Sequence, residues 1–399
     1  MAGERAEDAD IPTTGGARDL YRPRVAEPLK HFFSKALVKR LGASLKAVHG
    51  PFDVRGFERD ATRGLEALEL LARAKRLADA MHRHLPADFR ESAEILLRSL
   101  GPVHATDELE GAGMAPFFYL PHTIFVAEHG LEHFELSMTA QHALTQRFTC
   151  EFSIRAFLAH APERTLAVLE RWTEDPSPHV RRLVSEGTRP RLPWARRVKW
   201  LEENPERVLP LLERLKDDPT TLVRRSVANH LNDLCRTHRS LLLDTVERWM
   251  EGGANAPDDA RRALVRHALR GAVKKGDPRA LALLGFGERA RVEVEGIHFE
   301  PPRVRIGEGV RVSFTLVGRA RKTQRLAVDL AVHFVKARGQ TGEKVFKLDE
   351  VELSPDERVT LGKRVSLAVH TTRTPRPGRH AVEALVNGQR LPLGHFEVV

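Results

Sequence analysis

Acidic and basic side chains that could do chemistry concentrate between Thr149 and Trp194. The local sequences TCEFSIR and HVRRLVSEGTRPRLPW place Glu151 and Glu186 among several arginines, beside apolar positions with helical spacing. This spacing predicts that Glu151 lies on a helix next to buried residues. Two isolated carboxylates among arginines suggest a site for a cationic substrate that is carried on a polyanion.

The same residues allow a simpler interpretation. Arg182 and Glu186 are four residues apart, so on a helix they share one face and can pair. Most such pairs are solvated surface pairs that contribute only about a few tenths of a kcal/mol. From the residue types alone, a surface ion pair is the more common outcome and a catalytic site is the alternative.

The composition limits the number of domains and the kinds of binding partner that can be expected. The chain has 399 residues, more than one hydrophobic core usually serves, so two or three domains are expected. A formal charge of +10 and a pI near 9.9 favour an acidic partner, with nucleic acid first and an anionic membrane second. Cys150 and Cys235 lie far apart without CxxC spacing, which indicates neither a disulfide framework nor a zinc site and fits a reducing cytoplasm.

The N-terminal sequence MAGERAEDAD lacks the basic start and apolar run of a signal peptide. No apolar stretch in the sequence approaches the length of a membrane span. Residues 1–26 mix glycine and proline with charged residues, so we expect a flexible leader. These features together predict a cytoplasmic protein.

Residues 27–287 form the first predicted domain, which is mainly α. Apolar residues recur with helical spacing from Leu29 to about Leu284. Prolines separate the amphipathic runs, at Pro86, Pro162, Pro176, Pro205, Pro219 and Pro257.

Two of these runs repeat each other. LERWTEDPSPHVRRLVSEGTR begins at Leu169 and LERLKDDPTTLVRRSVANHLND begins at Leu212, an offset of 43 residues. A looser third copy follows from Val246. The offset falls in the range of HEAT and armadillo repeats, so a HEAT-like solenoid of stacked helix pairs is predicted.

In such a solenoid, equivalent positions form rows along one face. The paired arginines of successive repeats could line that face, or they could pair with an aspartate of the neighbouring repeat, as HEAT repeats commonly do. The position of Glu186 is occupied by Asn229 in the next repeat. A carboxylate therefore occurs once in that row, which inter-repeat pairing explains poorly.

Residues 288–399 form the second predicted domain. Segments such as VRVSFTLVG and LAVDLAVHFVKA alternate apolar and polar residues, and Gly, Pro and Asn-Gly turns separate them. About 110 residues of this kind predict an all-β immunoglobulin-like sandwich, without the cysteine pair of antibody domains. Basic residues near Arg321 make a second candidate basic surface.

The motifs also carry a family resemblance. TxEFxIR at residues 149–155, the block from Trp172 to Trp194, and VRRSVANHLND from Val223 closely resemble the AlkC branch of the HEAT-like alkylbase DNA glycosylases. The resemblance covers most of the helical region. An immunoglobulin-like domain after the solenoid is a feature of part of that branch.

The resemblance implies a DNA repair enzyme that hydrolyses the N-glycosidic bond of N3-alkylated bases such as 3-methyladenine and 3-methylcytosine. It implies double-stranded DNA with alkylated bases as the partner, a monomer near the nucleoid, and neither a metal nor an organic cofactor. The family's functional positions fall on Glu151, Arg182, Glu186, Trp194 and Asp233.

These residue types suit that chemistry. A cationic base is already a good leaving group, so charge stabilisation on the sugar matters more than a general acid. We expect Glu151 and Glu186 to stabilise an oxocarbenium-like sugar and Asp233 to position water, although the three roles could be exchanged. Trp194 could stack on a base or sugar or could be a packing residue between repeats. Arg182 could keep Glu186 ionised or bind a phosphate.

Backbone contacts would come from a pool of seven further arginines, some of which must be structural: Arg155, Arg181, Arg189, Arg191, Arg196, Arg224 and Arg225. Two other functions stay open: a noncatalytic HEAT-repeat nucleic-acid binder and a protein-interaction scaffold. The first should lack the candidate acids. The second should lack the steep salt dependence of DNA binding.

Overall fold

The computed structural model describes residues 28–103, 115–251, 258–286, 289–336, 339–369 and 374–399. The predicted leader 1–26, Pro257 and the predicted domain boundary at residues 287 and 288 lie outside them. Within these ranges the chain is helical up to residue 283 and all-β from residue 292 onward. The predicted fold class, a helical solenoid followed by an immunoglobulin-like sandwich, is confirmed.

The described part of the helical region consists of α-helices joined by short connections and by four short 3-10 helices. The α-helices are α1 Lys35–Val48, α2 Val54–Thr62, α3 Leu70–His84, α4 Phe89–Arg98, α5 Leu120–His129, α6 Phe134–Thr145, α7 Ile154–His160, α8 Pro162–Trp172, α9 Pro178–Gly187, α10 Lys199–Glu203, α11 Leu209–Leu215, α12 Thr221–Leu234, α13 Arg239–Met250, α14 Asp259–Val273 and α15 Pro278–Leu283. The 3-10 helices are Leu29–Phe32, Leu65–Ala67, Ala115–Tyr119 and Pro205–Arg207.

Repeated Asp-Pro motifs start the second helices of two repeats. Asp175 Oδ1 accepts a hydrogen bond from Ser177 N at 2.8 Å just before α9, and Asp218 Oδ1 accepts one from Thr220 N at 2.8 Å just before α12. Each aspartate thus turns the chain locally, and the proline after it ends the preceding helix. The helix pairs α8/α9, α11/α12 and α13/α14 follow the predicted repeat.

Neighbouring repeats stack through their second helices, and α12 packs between α9 and α14. The apolar face of α12 includes Val223, Val227 and Leu231, all fully buried. Because α9, α12 and α14 are aligned, residues on one helix reach those on the next. This stacking places the candidate site residues of two repeats within contact distance.

Two hydrophobic cores divide the helical region. One joins α1 to α5 and includes Phe148, and the other runs from Val126 through α14. The segment from Phe148 to Ile154 passes from the first core to the second. Glu151 therefore lies at the junction of two cores, where a cleft can form between them.

The C-terminal region is a sandwich of two sheets with its own core. One sheet has the strand order β1-β3-β6 and the other β2-β8-β7-β4-β5. The strands are β1 Val292–Glu300, β2 Arg303–Val304, β3 Gly309–Gly318, β4 Gln324–Val335, β5 Thr341–Leu353, β6 Arg358–Ser366, β7 Gly378–Val386 and β8 Gln389–Val398. Asn387 and Gly388, both with positive φ, close the hairpin between β7 and β8, as the Asn-Gly turn predicts.

The sandwich docks on the C-terminal end of the solenoid. The guanidinium of Arg325 lies over the Phe286 ring at 4.9 Å and donates to Leu284 O at 3.1 Å. Its Nη2 also contacts Glu350 Oε2 at 3.2 Å. Gly276 meets Gly388 so closely that a side chain on either residue would strike the other's backbone. None of the described helices is long and apolar enough to cross a bilayer.

Candidate active site

Helix α9 provides the centre of the site. Its buried face holds Val180, Leu183 and Val184, and this apolar stripe fixes the rotation of the helix. Arg182 and Glu186 then fall on the adjoining face, one turn apart. Only 6% of the Glu186 surface is exposed, so the pair is not a solvated surface pair.

Glu151 lies in a turn that precedes α7, not on a helix as expected. Thr149 Oγ1 accepts a hydrogen bond from Glu151 N at 3.2 Å. The same hydroxyl donates to Glu151 Oε2 at 2.7 Å. This local bonding competes with helical bonding, so α7 begins only at Ile154.

Arg182 brings the two glutamates together. Its Nη2 lies 3.0 Å from Glu151 Oε2 and 3.9 Å from Glu186 Oε2, and its Nη1 donates to Thr149 Oγ1 at 3.3 Å. Among the described residues, Glu151 Oε1 accepts no hydrogen bond, whereas Oε2 binds Thr149 and Arg182. One oxygen of this carboxylate therefore remains available for a ligand.

Arg189 joins Glu186 to Asp233 of the next repeat. Its Nη1 donates to Glu186 Oε1 at 2.5 Å, while Nε and Nη2 donate to the two oxygens of Asp233 at 2.9 and 3.2 Å. Ser226 on α12 donates to Glu186 Oε2 at 2.6 Å. The three candidate carboxylates thus belong to one bonded network with two arginines.

The network moves two carboxyl pKa values in opposite directions. Burial alone would raise the pKa of Glu186, but Arg182, Arg189 and the Ser226 hydroxyl together hold it below the ordinary value. Burial raises the pKa of Asp233, and nearby Glu186 adds to this, against the lowering effect of Arg189. Glu186 is therefore held as a carboxylate more firmly than Asp233.

The connection from α9 to α10 carries Trp194. Gly187 ends α9 against α7, where an added Cβ would come 2.5 Å from Ile154 Cγ2. Buried Arg155 holds the connection by donating to the carbonyls of Gly187, Arg189 and Arg196 at 2.7 to 3.0 Å. Burial lowers the pKa of the Arg155 guanidinium to about 10. Because this pKa is still well above neutral pH, the guanidinium remains charged.

Trp194 is not a packing residue between repeats. It is 61% exposed and adopts φ 65°, a left-handed conformation that is rare for a large side chain. Strained conformations of this kind concentrate at functional sites. The ring is thus available to a ligand beside the carboxylates.

These elements enclose a cleft of about 360 Å³. Thr149, Glu151, Glu186 and Arg189 provide its polar wall. Aromatic and apolar residues form the rest of the lining: Pro116, Phe117, Phe148, Phe152, Leu192, Pro193 and Trp194. A cleft lined both by carboxylates and by aromatic rings suits a ligand that is both cationic and flat.

A second cleft of about 680 Å³ lies between the solenoid and the sandwich. Leu192 and Pro193 line both clefts, and Asp233 lines this second one. Its cationic lining is Arg191, Arg197, Arg236, Lys274 and Lys275, and Glu343 comes from β5. The basic lining suits a polyanion that passes next to the carboxylates.

The seven arginines expected to contact phosphate fall into two groups. Arg181 bridges to Asp218 of the next repeat, and Arg224 donates to Asp218 O and Pro219 O. These two, with Arg155 and Arg189, hold the fold together through their hydrogen bonds. Among the described residues, three of the seven form no ion pair and donate no side-chain hydrogen bond: Arg191, Arg196 and Arg225.

Sequence reasoning missed Ser226, Thr149 and the phenylalanines that line the first cleft. The repeat register holds a signal for Ser226, because the equivalent residue one repeat earlier is the buried Leu183. Phe117 and Phe152 read as ordinary core residues in the sequence, since their position between two cores becomes apparent only in three dimensions.

One group within the described ranges has the composition of a metal site: His333, Glu343 and Glu383 on the sandwich. Arg390 contacts both glutamates, at 2.7 and 2.6 Å, so a cationic side chain already balances them. The group is not part of the carboxylate network.

Comparisons with known proteins match both regions of the chain. Residues 141–275 match the family described as DNA alkylation repair enzyme, and residues 293–399 match the C-terminal Ig-like domain of the uncharacterised protein YhaZ. Uncharacterized protein YhaZ of Bacillus subtilis (strain 168) is 34% identical over 364 residues, which cover 90% of this chain and 96% of that protein.

A solved structure is similar over nearly the whole length. It is described as Pseudomonas fluorescens alkylpurine DNA glycosylase AlkC bound to DNA containing an abasic site analog. The two chains are 35% identical and align with a TM-score of 0.84, covering 94% of this chain and 100% of the other. The match spans both the solenoid and the sandwich.

Proposed function

This chain belongs to the DNA alkylation repair enzyme family, and from that premise we propose that it is a monofunctional DNA glycosylase for cationic N3-alkylated bases such as 3-methyladenine and 3-methylcytosine. The observation that carries the proposal is the pair Glu151 and Glu186, which share Arg182 on the wall of one cleft. Double-stranded DNA that contains such a base is the proposed substrate, and a monomer is the proposed form.

The proposed reaction breaks the bond between the base and C1′ of deoxyribose. The bonding electron pair leaves with the base, whose positive charge is thereby neutralised, and positive charge develops on the sugar. Water then adds to C1′ and loses a proton, leaving an abasic site. Carboxylates fixed before the reaction stabilise such a developing charge without reorganising.

We assign the contact with sugar and water to Glu151, because its Oε1 is the oxygen that the network leaves uncommitted. Glu186 adds negative charge from the same wall, and its depressed pKa keeps that charge in place. Asp233 was expected to position water. Since both of its oxygens bind Arg189, we assign it to holding that guanidinium against Glu186.

The aromatic and basic surfaces support binding of damaged DNA. Trp194 presents an exposed ring beside the carboxylates, where it can contact the base or the sugar by stacking or by cation–π attraction. The arginines with uncommitted guanidinium groups, Arg191, Arg196 and Arg225, are the proposed phosphate contacts within the original pool. Arg182 is assigned to the carboxylates, which it contacts directly.

Base release from DNA that contains 3-methyladenine or 3-methylcytosine tests the proposal. We expect release by the wild type and a loss of roughly a hundredfold in Glu151→Gln and Glu186→Gln, equivalent to ~3 kcal/mol of transition-state stabilisation. Glu170→Gln removes a half-exposed carboxylate on α8 and serves as the matched control. No release by the wild type would reject the function, and full release by both variants would reject the mechanism.

The sandwich is proposed to hold DNA from the side opposite the solenoid. The second cleft, lined from both domains, supports this role. The solenoid cores contain no residue of the sandwich core, so a chain that ends after residue 287 keeps both. We expect this shortened chain to lose DNA affinity and base release, and unchanged values for both would contradict the role.

A further inference from the structure

Two hydroxyl groups donate hydrogen bonds to the two carboxylates of the cleft. Ser226 Oγ donates to Glu186 Oε2 at 2.6 Å, and Thr149 Oγ1 donates to Glu151 Oε2 at 2.7 Å. Ser226 is 2% exposed, so its hydrogen bond forms away from bulk water. Hydrogen bonds from a hydroxyl to a carboxylate are short and strong in such surroundings.

Both hydroxyls bind the oxygen that faces Arg182. Arg182 Nη2 lies 3.0 Å from Glu151 Oε2 and 3.9 Å from Glu186 Oε2, and its Nη1 donates to Thr149 Oγ1. Glu151 Oε2 is thus held from two directions, whereas Glu186 Oε2 is hydrogen-bonded by Ser226 and faces the charge of Arg182. Rotation of the carboxyl groups is opposed, and Glu151 Oε1 keeps a fixed direction.

Ser226 departs from the pattern of its own repeat. The equivalent residue in the preceding repeat is Leu183, a fully buried core residue. A buried serine in a helix usually bonds to the carbonyl one turn earlier, as its hydroxyl otherwise lacks a partner. Ser226 instead reaches across to α9, where Ser185 Oγ lies 3.1 Å away as a second acceptor for its hydroxyl.

We propose that Ser226 and Thr149 are positioning residues that hold the Oε2 atoms of Glu186 and Glu151 against Arg182, so that Oε1 of Glu151 points to the reacting sugar. The inference rests on the proposed glycosylase function. It adds two residues to the reaction that act through the carboxylates.

Ser226→Ala removes one hydroxyl, and Thr149→Val removes the other with little change of shape. Thr149→Ser keeps the hydroxyl and is the conservative variant. Ser92→Ala is the matched control, because Ser92 is a buried serine of α4 whose hydroxyl binds Pro86 O. Full-length protein is used throughout, and each variant's unfolding is recorded.

The measurements are the single-turnover rate of base release from 3-methyladenine DNA, its pH profile and the affinity for that DNA. We expect Ser226→Ala and Thr149→Val to slow release by roughly tenfold or more, as the loss of a hydrogen bond to a charged group does. Affinity stays within about twofold, because both hydroxyls already donate to the carboxylates of the network. Thr149→Ser and Ser92→Ala retain the wild-type rate.

The pH profile separates positioning from a general loss of structure. Since the Ser226 hydroxyl lowers the pKa of Glu186, its removal moves the acidic limb of the Ser226→Ala profile to higher pH. Wild-type rates of base release in both Ser226→Ala and Thr149→Val would overturn the inference. Equal slowing of base release in Thr149→Ser or Ser92→Ala would also overturn it. Absence of release by the wild type would instead reject the glycosylase function itself.

Discussion

Arg189 shows how a residue type can mislead when its surroundings are unknown. Arginines near a candidate DNA site are natural phosphate ligands, yet this guanidinium is nine-tenths buried between Glu186 and Asp233. Each nitrogen that points to a carboxylate is unavailable to DNA. The charge of Arg189 therefore acts inside the protein, where it allows two acids to be buried close together.

The opposite pKa changes of Glu186 and Asp233 give a test at neutral pH. A lowered pKa means that the ionised form favours the folded state, whereas a raised pKa means that ionisation costs folding free energy. We expect Glu186→Gln to lower the free energy of unfolding by about 1–3 kcal/mol, the usual value for a hydrogen bond to a charged group. Asp233→Asn should lower it less. Urea unfolding of both variants measures the difference.

The pH dependence of stability tests whether the pKa of Glu186 is lowered in the folded protein. The contribution of Glu186 is complete above the ordinary glutamate value of 4.5 and is lost as the pH falls from there through the lower pKa of the folded protein. The stability difference between wild type and Glu186→Gln should therefore shrink in acid. A stability difference between wild type and Glu186→Gln that grows below pH 4.5 would contradict a lowered pKa for Glu186.

Inter-repeat pairing explains one arginine of the pair on α9. Arg181 Nε and Nη2 contact the two oxygens of Asp218 at 2.6 and 3.1 Å, and the Asp218 side chain is 3% exposed. The second arginine of the pair, Arg182, turns to the carboxylates instead. One face of α9 thus stabilises the stack while the next face forms the site.

The Arg181–Asp218 pair should be a determinant of stability and not of DNA binding. Asp218→Asn leaves a buried guanidinium without its charge partner, so we expect a loss of roughly 3 kcal/mol in the free energy of unfolding. Glu170→Gln breaks the exposed pair with Arg214 and should cost less than about 1 kcal/mol. Unfolding in urea compares the two, and equal losses would contradict a structural role for the buried pair.

The connection that carries Trp194 makes a separate prediction. Because φ is 65° there, glycine fits the backbone better than alanine, by about 1 kcal/mol. Trp194→Gly should therefore be more stable than Trp194→Ala, and both should lose base release because the exposed ring is gone. Thermal unfolding and the base-release assay together measure this. Normal release by either variant would argue against a substrate contact.

Sequence patterns predicted the elements better than the connections. The 43-residue repeat and the strand alternation follow from periodic burial, so both fold classes could be predicted. Glu151 and Trp194 occupy connections whose shape depends on contacts with distant residues, such as the hydrogen bond from Arg155 to Arg196 O. Helical spacing carries no information about such contacts. The carboxylates of the network were therefore predictable as residues, but their hydroxyl partners and their geometry were not.

At the scale of the whole molecule, the second cleft forms where the sandwich packs against the end of the solenoid. The sequence predicted two domains, each with basic residues, but not that β5 would face α14 across the site. Arg319 illustrates the difficulty: it lies in the basic segment noted in the sequence, yet it pairs with Glu293 and Asp356. Within the described part of the chain, several cations without an ion pair line the second cleft, where the solenoid ends.

The salt dependence of DNA affinity tests whether the second cleft contacts phosphate. Within the described ranges, Arg236, Lys274 and Lys275 line the cleft and form no ion pair. Each phosphate contact contributes about 0.9 to the slope of log affinity against log salt concentration. If all three contact phosphate, their replacement by alanine should reduce the slope by roughly 2–3 and weaken binding equally for damaged and undamaged DNA. The rate of base release at saturating DNA should stay unchanged, because the carboxylate network is intact.

A control with the same change in charge distinguishes phosphate contacts from a general effect of net charge. Three arginines on the outer helices and connections are already paired with glutamates, and all three are replaced by alanine in the control: Arg164, Arg207 and Arg214. Their loss leaves the cleft unaltered, so the slope should remain near the wild-type value. An equal reduction in both triple variants would show that DNA senses only the net charge of the protein. It would then place the DNA path away from the cleft between solenoid and sandwich.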